Sequence, residues 1–131
     1  MKKVLVIDGM GGGIGRALIE KLMDMKDIEA VAVGTNSIAT SAMIKVGAKN
    51  AATGENAVIF NAQNADYIIG VIGIVAANSM NGEVSPKMAE AVASSKAQKI
   101  LIPMDKCSIT VVGVQNKTLQ AHIEAALREI K

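Results

Sequence analysis

The chain has 131 residues, half of them hydrophobic, and a formal net charge of +2, so it suits one domain with a substantial core. Its longest basic run is Lys2-Lys3 and its only aromatic residues are Phe60 and Tyr67, which argues against a dedicated nucleic-acid surface. The single cysteine, Cys107, excludes an internal disulfide and a cysteine zinc cluster, and we expect no metal site.

The longest apolar run covers residues 67–77 and contains two glycines. It is too short to span a membrane, which takes about 20 residues. No signal peptide is visible at the start of the chain. We therefore expect a cytoplasmic protein that does not enter a membrane.

The first recognisable element is a continuous apolar run, Val4–Ile7, which predicts a strand buried on both faces of a parallel sheet. Asp8 ends the run, and a helix is predicted over about 13–25. Strand, glycine-rich turn and helix open a nucleotide-binding Rossmann-like unit, because glycines allow close approach and a helix start attracts anions. The candidate cofactor-binding residues of this turn are Asp8, Gly9, Gly11, Gly12, Gly13, Ile14 and Gly15.

The glycine spacing departs from the strict dinucleotide fingerprint G-x-G-x-x-G, because Ile14 and Arg16 stand where glycine is required. The same turn lacks the Gly-Lys-Ser/Thr of a P-loop. Gly9, Gly13 and Gly15 instead form G-x-x-x-G-x-G, which resembles the turn of short-chain dehydrogenases/reductases. A turn without a ligand remains the alternative interpretation.

The catalytic residues of that enzyme family are missing, however. The family needs a tyrosine four residues before a lysine, whereas Tyr67 is followed four residues later by Val71. The chain is also far shorter than such an enzyme.

Beyond the turn, apolar runs and turn residues predict alternating strands and helices. Strands are predicted over 28–34, 57–60, 66–70, 99–104 and 109–114. Helices are predicted from near 37, over about 72–80, from 85 and from about 117, although 71–80 could instead continue the fourth strand. Ser85-Pro86 is typical of a helix start, with an N-cap followed by proline at the first helical position. Only four residues separate the last two strands, which predicts an antiparallel pair. The expected fold is α/β, a single Rossmann-like domain over 1–131: a three-layer sandwich on a mostly parallel sheet.

Ligands of such sheets bind outside the carboxyl ends of the strands. In a common NAD site an acid ends the second strand, but here Thr35 and Asn36 stand there. Their hydroxyl and amide groups could hydrogen-bond a 2′-phosphate or a smaller polar ligand, or Asn36 could simply cap a helix. Asp8 would repel a phosphate unless it is protonated or occupied by loop amides, and it could equally cap the glycine turn.

Several groups of residues together are similar to one known family. They are 6–9 with 11–15, 34–36 with Ala39-Thr40, 52–56, and Cys107 with 111–113. This combination resembles a family of small bacterial Rossmann-like proteins catalogued as a domain of unknown function, DUF3842. The resemblance covers nearly the whole chain and implies a Rossmann-like domain without an established activity.

Three functions are consistent with these patterns. The first is a nucleotide- or dinucleotide-binding module, with NAD(P) or another nucleotide as the ligand. The second is a small enzyme that uses Asp8, Glu55 or Cys107 at a subunit interface, although a lone cysteine at a strand start is more often a core residue. The third is a scaffold for a protein partner that binds no small molecule.

The middle of the chain is poor in charge. Between residues 30 and 82 the only charged residues are Lys45, Lys49, Glu55 and Asp66. So little charge implies burial, a partner subunit or both, and we expect a homo-oligomer, with a dimer favoured.

Overall fold

The computed structural model of the protein describes residues 1–104 and 108–131. Strands and helices alternate along it. The elements are β1 (Lys2–Asp8), α1 (Gly13–Leu22), β2 (Ile28–Gly34), α2 (Ser37–Lys45), β3 (Asn50–Thr53), α3 (Glu55–Ala62), β4 (Tyr67–Val71), α4 (Pro86–Ser94), β5 (Gln98–Ile102) and α5 (Leu119–Arg128). A short 3₁₀ turn at 72–75 follows β4.

The five strands form one parallel sheet in the order β3-β2-β1-β4-β5. Side chains of β1 alternate between two apolar clusters. Leu5 and Ile7 pack on the side of α3 and α4, whereas Val4 and Val6 pack on the side of α1, α2 and α5. The sheet is therefore covered on both faces, as a parallel sheet requires, and the α/β three-layer prediction is confirmed.

The predicted antiparallel strand over 109–114 is wrong, because these residues form no strand. Its apolar side chains gain no buried face: Ile109 is 40% exposed, Val111 39% and Val112 92%. All strand pairs of the described residues are parallel. Cys107 and the rest of the predicted connection at 105–107 lie outside the described residues.

The third strand was also predicted in the wrong place. The apolar run 57–60 lies inside α3, where Val58 and Ala62, four residues apart, are buried. The third strand is instead Asn50–Thr53, whose residues are mostly exposed at the edge of the sheet. The helix predicted over 72–80 is a single 3₁₀ turn at 72–75 followed by turns.

Candidate functional site

The candidate site lies at the carboxyl end of β1, where the strand order changes direction. The chain winds outward from β1 through β2 to β3, and then returns to place β4 on the other side of β1. Crevices at such a switch point are where open α/β sheets bind ligands. The loop that follows β1, residues 9–12, borders this crevice.

Asp8 is buried beneath that loop, at 6% exposure. Its Oδ1 accepts the N–H of Gly9 at 2.8 Å, and its Oδ2 accepts the N–H of Gly15 at 2.6 Å. Gly15 belongs to the first turn of α1, so the carboxylate ties the end of β1 to the start of the helix. This geometry is that of a cap on the glycine turn.

Three of the loop glycines are required by close packing. A Cβ at Gly9 would lie 2.5 Å from Oγ1 of Thr35, and one at Gly15 would lie 2.7 Å from Cβ of Asp8. Gly12 has φ +80° and caps α1, and a Cβ there would lie 2.8 Å from Cα of Ala39. These glycines let the loop, β1 and the start of α2 approach one another.

Gly11 and Gly13 have no such structural requirement. Both are exposed, neither has a left-handed φ, and a Cβ at either position would meet no atom within 4 Å. Gly13 begins α1, whose first turn contains no acidic residue and whose cap has no side-chain hydrogen bond. Within the described chain, no acceptor pairs with the N–H of Gly13 or Ile14. The helix start is therefore an open set of donors with a favourable dipole.

Thr35 and Asn36 follow β2 and converge on one carboxylate, that of Glu83. Oε1 of Glu83 accepts the Thr35 hydroxyl at 2.6 Å, the Asn36 amide at 2.9 Å and the backbone N–H of Met10 at 3.0 Å. The side-chain oxygen of Asn36, Oδ1, accepts the N–H of Ala39 and so caps α2, as the cap prediction stated.

These three donors hold the pKa of Glu83 below its ordinary value, with the Met10 N–H as the largest cause, followed by the Thr35 hydroxyl. Partial burial acts in the opposite direction and is outweighed. The carboxylate is therefore ionised at neutral pH. It adds a negative charge to the crevice between the glycine loop and the end of β2.

Sequence reasoning did not find Glu83, because its partners lie 47 to 73 positions away along the chain. The only local signal is its position after Asn81-Gly82, in the connection between β4 and α4. That connection leaves the same carboxyl edge as the glycine loop, and Glu83 is its single acidic residue.

Of the other candidates, Glu55 contacts the connection between β4 and α4 and Cys107 is not among the described residues. Glu55 is the first residue of α3, and it accepts the hydroxyl of Ser85 at 2.6 Å. Cys107 lies outside the described residues. No three His, Cys, Asp or Glu side chains among residues 1–104 and 108–131 are placed to share a metal ion.

A groove of about 600 Å³ runs between α3 and α4 and contains none of the candidate residues. It is a wide surface depression lined by Ile59, Ala62, Gln63, Lys87, Glu90, Ala91 and residues 94–96. Its size alone does not make it the ligand site, because it presents no loop donors at a strand end.

None of the helices in the described ranges is long and apolar enough to cross a membrane.

The parallel sheet, its switch point and the glycine turn after β1 define a Rossmann-like α/β protein. The chain belongs to the family described as Domain of unknown function (DUF3842), whose sequence model matches residues 3–131. No curated protein matches the chain. Among solved structures, it is similar to a dodecameric FMN-dependent UbiX-like decarboxylase from Escherichia coli O157:H7, at 20% identity and a TM-score of 0.49. That similarity covers 95% of this chain and 75% of the other.

Proposed function

We propose that the protein binds a nucleotide or dinucleotide at the carboxyl end of β1, with the phosphate at the start of α1. The observation that carries this proposal is the pair of glycines that packing does not require. Gly11 and Gly13 leave open space above a helix start whose N–H groups have no acceptor among the described residues. A phosphate needs both features, because its oxygens must reach backbone donors without meeting a side chain.

The remaining candidate residues shape the site around that phosphate. Asp8, Gly9, Gly12 and Gly15 hold the loop against β1 and α2, and Asp8 already receives two loop N–H groups. Its charge is therefore partly compensated, which reduces its repulsion of a nearby anion. Thr35 and Asn36 border the same space from the end of β2. NAD(P) and simpler nucleotides all carry a phosphate of the kind this site would hold.

A thermal-shift screen of nucleotides and dinucleotides tests the proposal. A ligand at 100 times its dissociation constant adds about 2.7 kcal/mol to the stability of the native state and raises the melting temperature. Gly13→Asp should fold, because its side chain enters open space, but it should lose this shift by placing a negative charge at the phosphate position.

The matched control is Gln120→Asp, which adds the same charge to the exposed first turn of α5. That variant should keep the full ligand-induced shift. If Gly13→Asp folds and binds as well as the parent, the glycine loop is not the site. If no nucleotide shifts any variant, the scaffold function is favoured instead.

We also propose that the protein forms a homo-oligomer, with a dimer as its simplest form. β3 is an edge strand without a charged residue, and α2 and α3 lie on either side of it. Ile38 and Ile44 on α2 are 68% and 51% exposed, and Phe60 on α3 is 61% exposed. Large exposed apolar side chains beside an uncharged sheet edge favour an interface with a second copy.

A further inference from the structure

The segment that carries Glu83 crosses from β4 toward β2 and has an unusual backbone. Four of its residues have left-handed φ values: Asn78 at 67°, Met80 at 57°, Asn81 at 55° and Gly82 at 87°. Three of them are not glycine, and such conformations persist only where surrounding contacts hold them. We name residues 78–83 the crossing segment.

Buried contacts fix both ends of the crossing segment. The N–H of Asn78 donates to the carbonyl of Val84 at 2.7 Å, and the hydroxyl of Ser79 donates to the carbonyl of Gly73 at 2.6 Å. Ser79 and Val84 are buried, at 7% and 1% exposure. Glu83 is therefore presented to the end of β2 by a held loop rather than by a free surface side chain.

The carboxylate of Glu83 is bound on one side only. Its Oε1 takes the three hydrogen bonds from Met10, Thr35 and Asn36, whereas no described residue donates to Oε2. One oxygen thus fixes the position of the group while the other keeps its capacity to accept. The half-buried carboxylate lies between the glycine loop and the end of β2.

In dinucleotide-binding α/β folds, a carboxylate at the end of the second strand accepts a hydroxyl of the ribose. Here β2 ends in Gly34-Thr35-Asn36, without an acid. The structure brings a carboxylate to the same place from the connection after β4. We propose that Glu83 is the ribose-binding residue of the nucleotide site, accepting a ribose hydroxyl on Oε2 while Thr35 and Asn36 hold Oε1.

This inference rests on the proposed function and narrows its ligand to ribonucleotides with a free 2′-hydroxyl. A 2′-phosphate would face an ionised carboxylate, and the Thr35 and Asn36 donors that could have met it already bind Glu83. The preference is therefore for NAD over NADP, and for ribonucleotides over their 2′-deoxy forms. The sequence-based possibility of a 2′-phosphate at Thr35 and Asn36 is disfavoured accordingly.

Calorimetric titration of the full chain tests the inference. The probes are ADP, GDP, CDP and UDP, each against its 2′-deoxy form, and NAD⁺ against NADP⁺. The wild-type protein should bind the member with the free 2′-hydroxyl at least about tenfold more tightly, as a hydrogen bond to a charged group implies. Glu83→Gln should reduce that ratio severalfold, and Glu90→Gln, which removes an exposed charge on α4, should preserve it.

Three other results would contradict ribose binding by Glu83, and each points to a different cause. Equal binding of ribo and 2′-deoxy forms by the wild-type protein would show that Glu83 does not bind ribose, and would leave nucleotide binding intact. Tighter nucleotide binding by Glu83→Gln would show that the carboxylate competes with the ligand's phosphate. If no probe binds any variant, the proposed function fails and the inference fails with it. The wild-type comparison needs no variant, so it stands even if Glu83→Gln does not fold.

Discussion

At the scale of single residues, the glycine turn contains two kinds of glycine that the sequence pattern does not separate. A Cβ at Gly15 would lie 2.7 Å from Cβ of Asp8, whereas a Cβ at Gly13 would meet no atom within 4 Å. Packing therefore explains the first glycine, whereas the second borders the open space in which the proposed phosphate would lie. The distinction comes from the neighbours of each position, not from the spacing of the motif.

Alanine substitutions should separate the two kinds. Gly12→Ala and Gly15→Ala should each lower the free energy of unfolding by about 1–3 kcal/mol, through a left-handed φ at Gly12 and overpacking at Gly15. Gly11→Ala and Gly13→Ala should stay within about 1 kcal/mol of the parent, because nothing crowds the added methyl group. Urea denaturation measures all four. If Gly13→Ala lowers the free energy of unfolding as much as Gly15→Ala does, packing requires Gly13 as well, and the distinction between the two kinds of glycine is wrong.

Glu83 should make stability depend on acid pH. Its pKa is lowered in the folded state, so its contribution is fully present above the ordinary, unfolded-state pKa of 4.5 and is lost as pH falls through the lower folded value. The stability difference between the parent and Glu83→Gln should therefore shrink as pH is lowered through this range. Denaturation at a series of pH values measures it, and Glu90→Gln serves as the charge-matched control. A difference that is constant with pH would refute the hydrogen-bonded carboxylate.

At the scale of elements, apolar character alone misplaced two strands. The runs 57–60 and 109–114 have the composition of strands, yet the first lies in a helix and the second in an exposed connection. Short apolar runs do not distinguish a strand from a helix, because both bury such residues. The true third strand, Asn50–Thr53, lies at the sheet edge and contains no large apolar or β-branched run, only Ala51 and Ala52 between two polar residues.

A pair of isosteric substitutions tests the exposed state of 109–114. Val112→Thr should change the free energy of unfolding by less than about 0.5 kcal/mol, because this side chain is 92% exposed. Val33→Thr places the same hydroxyl in the fully buried centre of β2, and should cost about 1–3 kcal/mol. Chemical denaturation compares them. A similar decrease in the free energy of unfolding for the two variants would show that Val112 is buried in a core in solution.

At the scale of the whole molecule, the charge-poor middle of the sequence includes the β3 side of the sheet, with α2 and α3 beside it. This side combines an open strand edge with the exposed side chains Ile38, Ile44 and Phe60. Pairing of two copies here would cover apolar surface and remove an unpaired edge at once. The arrangement supports the proposed oligomer.

Light scattering at micromolar concentration should report a mass at least twice that of the chain. Ile38→Lys and Phe60→Lys should each shift the population toward monomer, because each places a charge on the proposed interface. Val112→Lys, a control that adds the same charge to the segment after β5, should leave the mass unchanged. A monomeric parent protein would contradict the proposed oligomer. If only Val112→Lys causes dissociation, the interface lies at the β5 edge of the sheet and not at the β3 edge.

The sequence by itself determined the opening strand, turn and helix, the α/β class and the starts of α2, α4 and α5. These features depend on local chemistry: an apolar run flanked by glycines, a side chain that caps the next turn, a proline at the first helical position. The caps at Asn36 and Ser85 are confirmed, each accepting the N–H three residues on. Gly9–Gly15 and Thr35-Asn36 also lie at the carboxyl edge, as their position after β1 and β2 predicts.

Only the tertiary structure decided which groups meet there. Glu83 reaches Met10, Thr35 and Asn36 across 47 to 73 positions of sequence, and no local pattern encodes such a contact. Local sequence also does not encode which glycines packing requires, Gly12 and Gly15 but not Gly11 and Gly13, or that residues 109–114 are exposed. Both depend on what another part of the chain places beside each residue, because space and burial are properties of the packed fold and not of the local sequence.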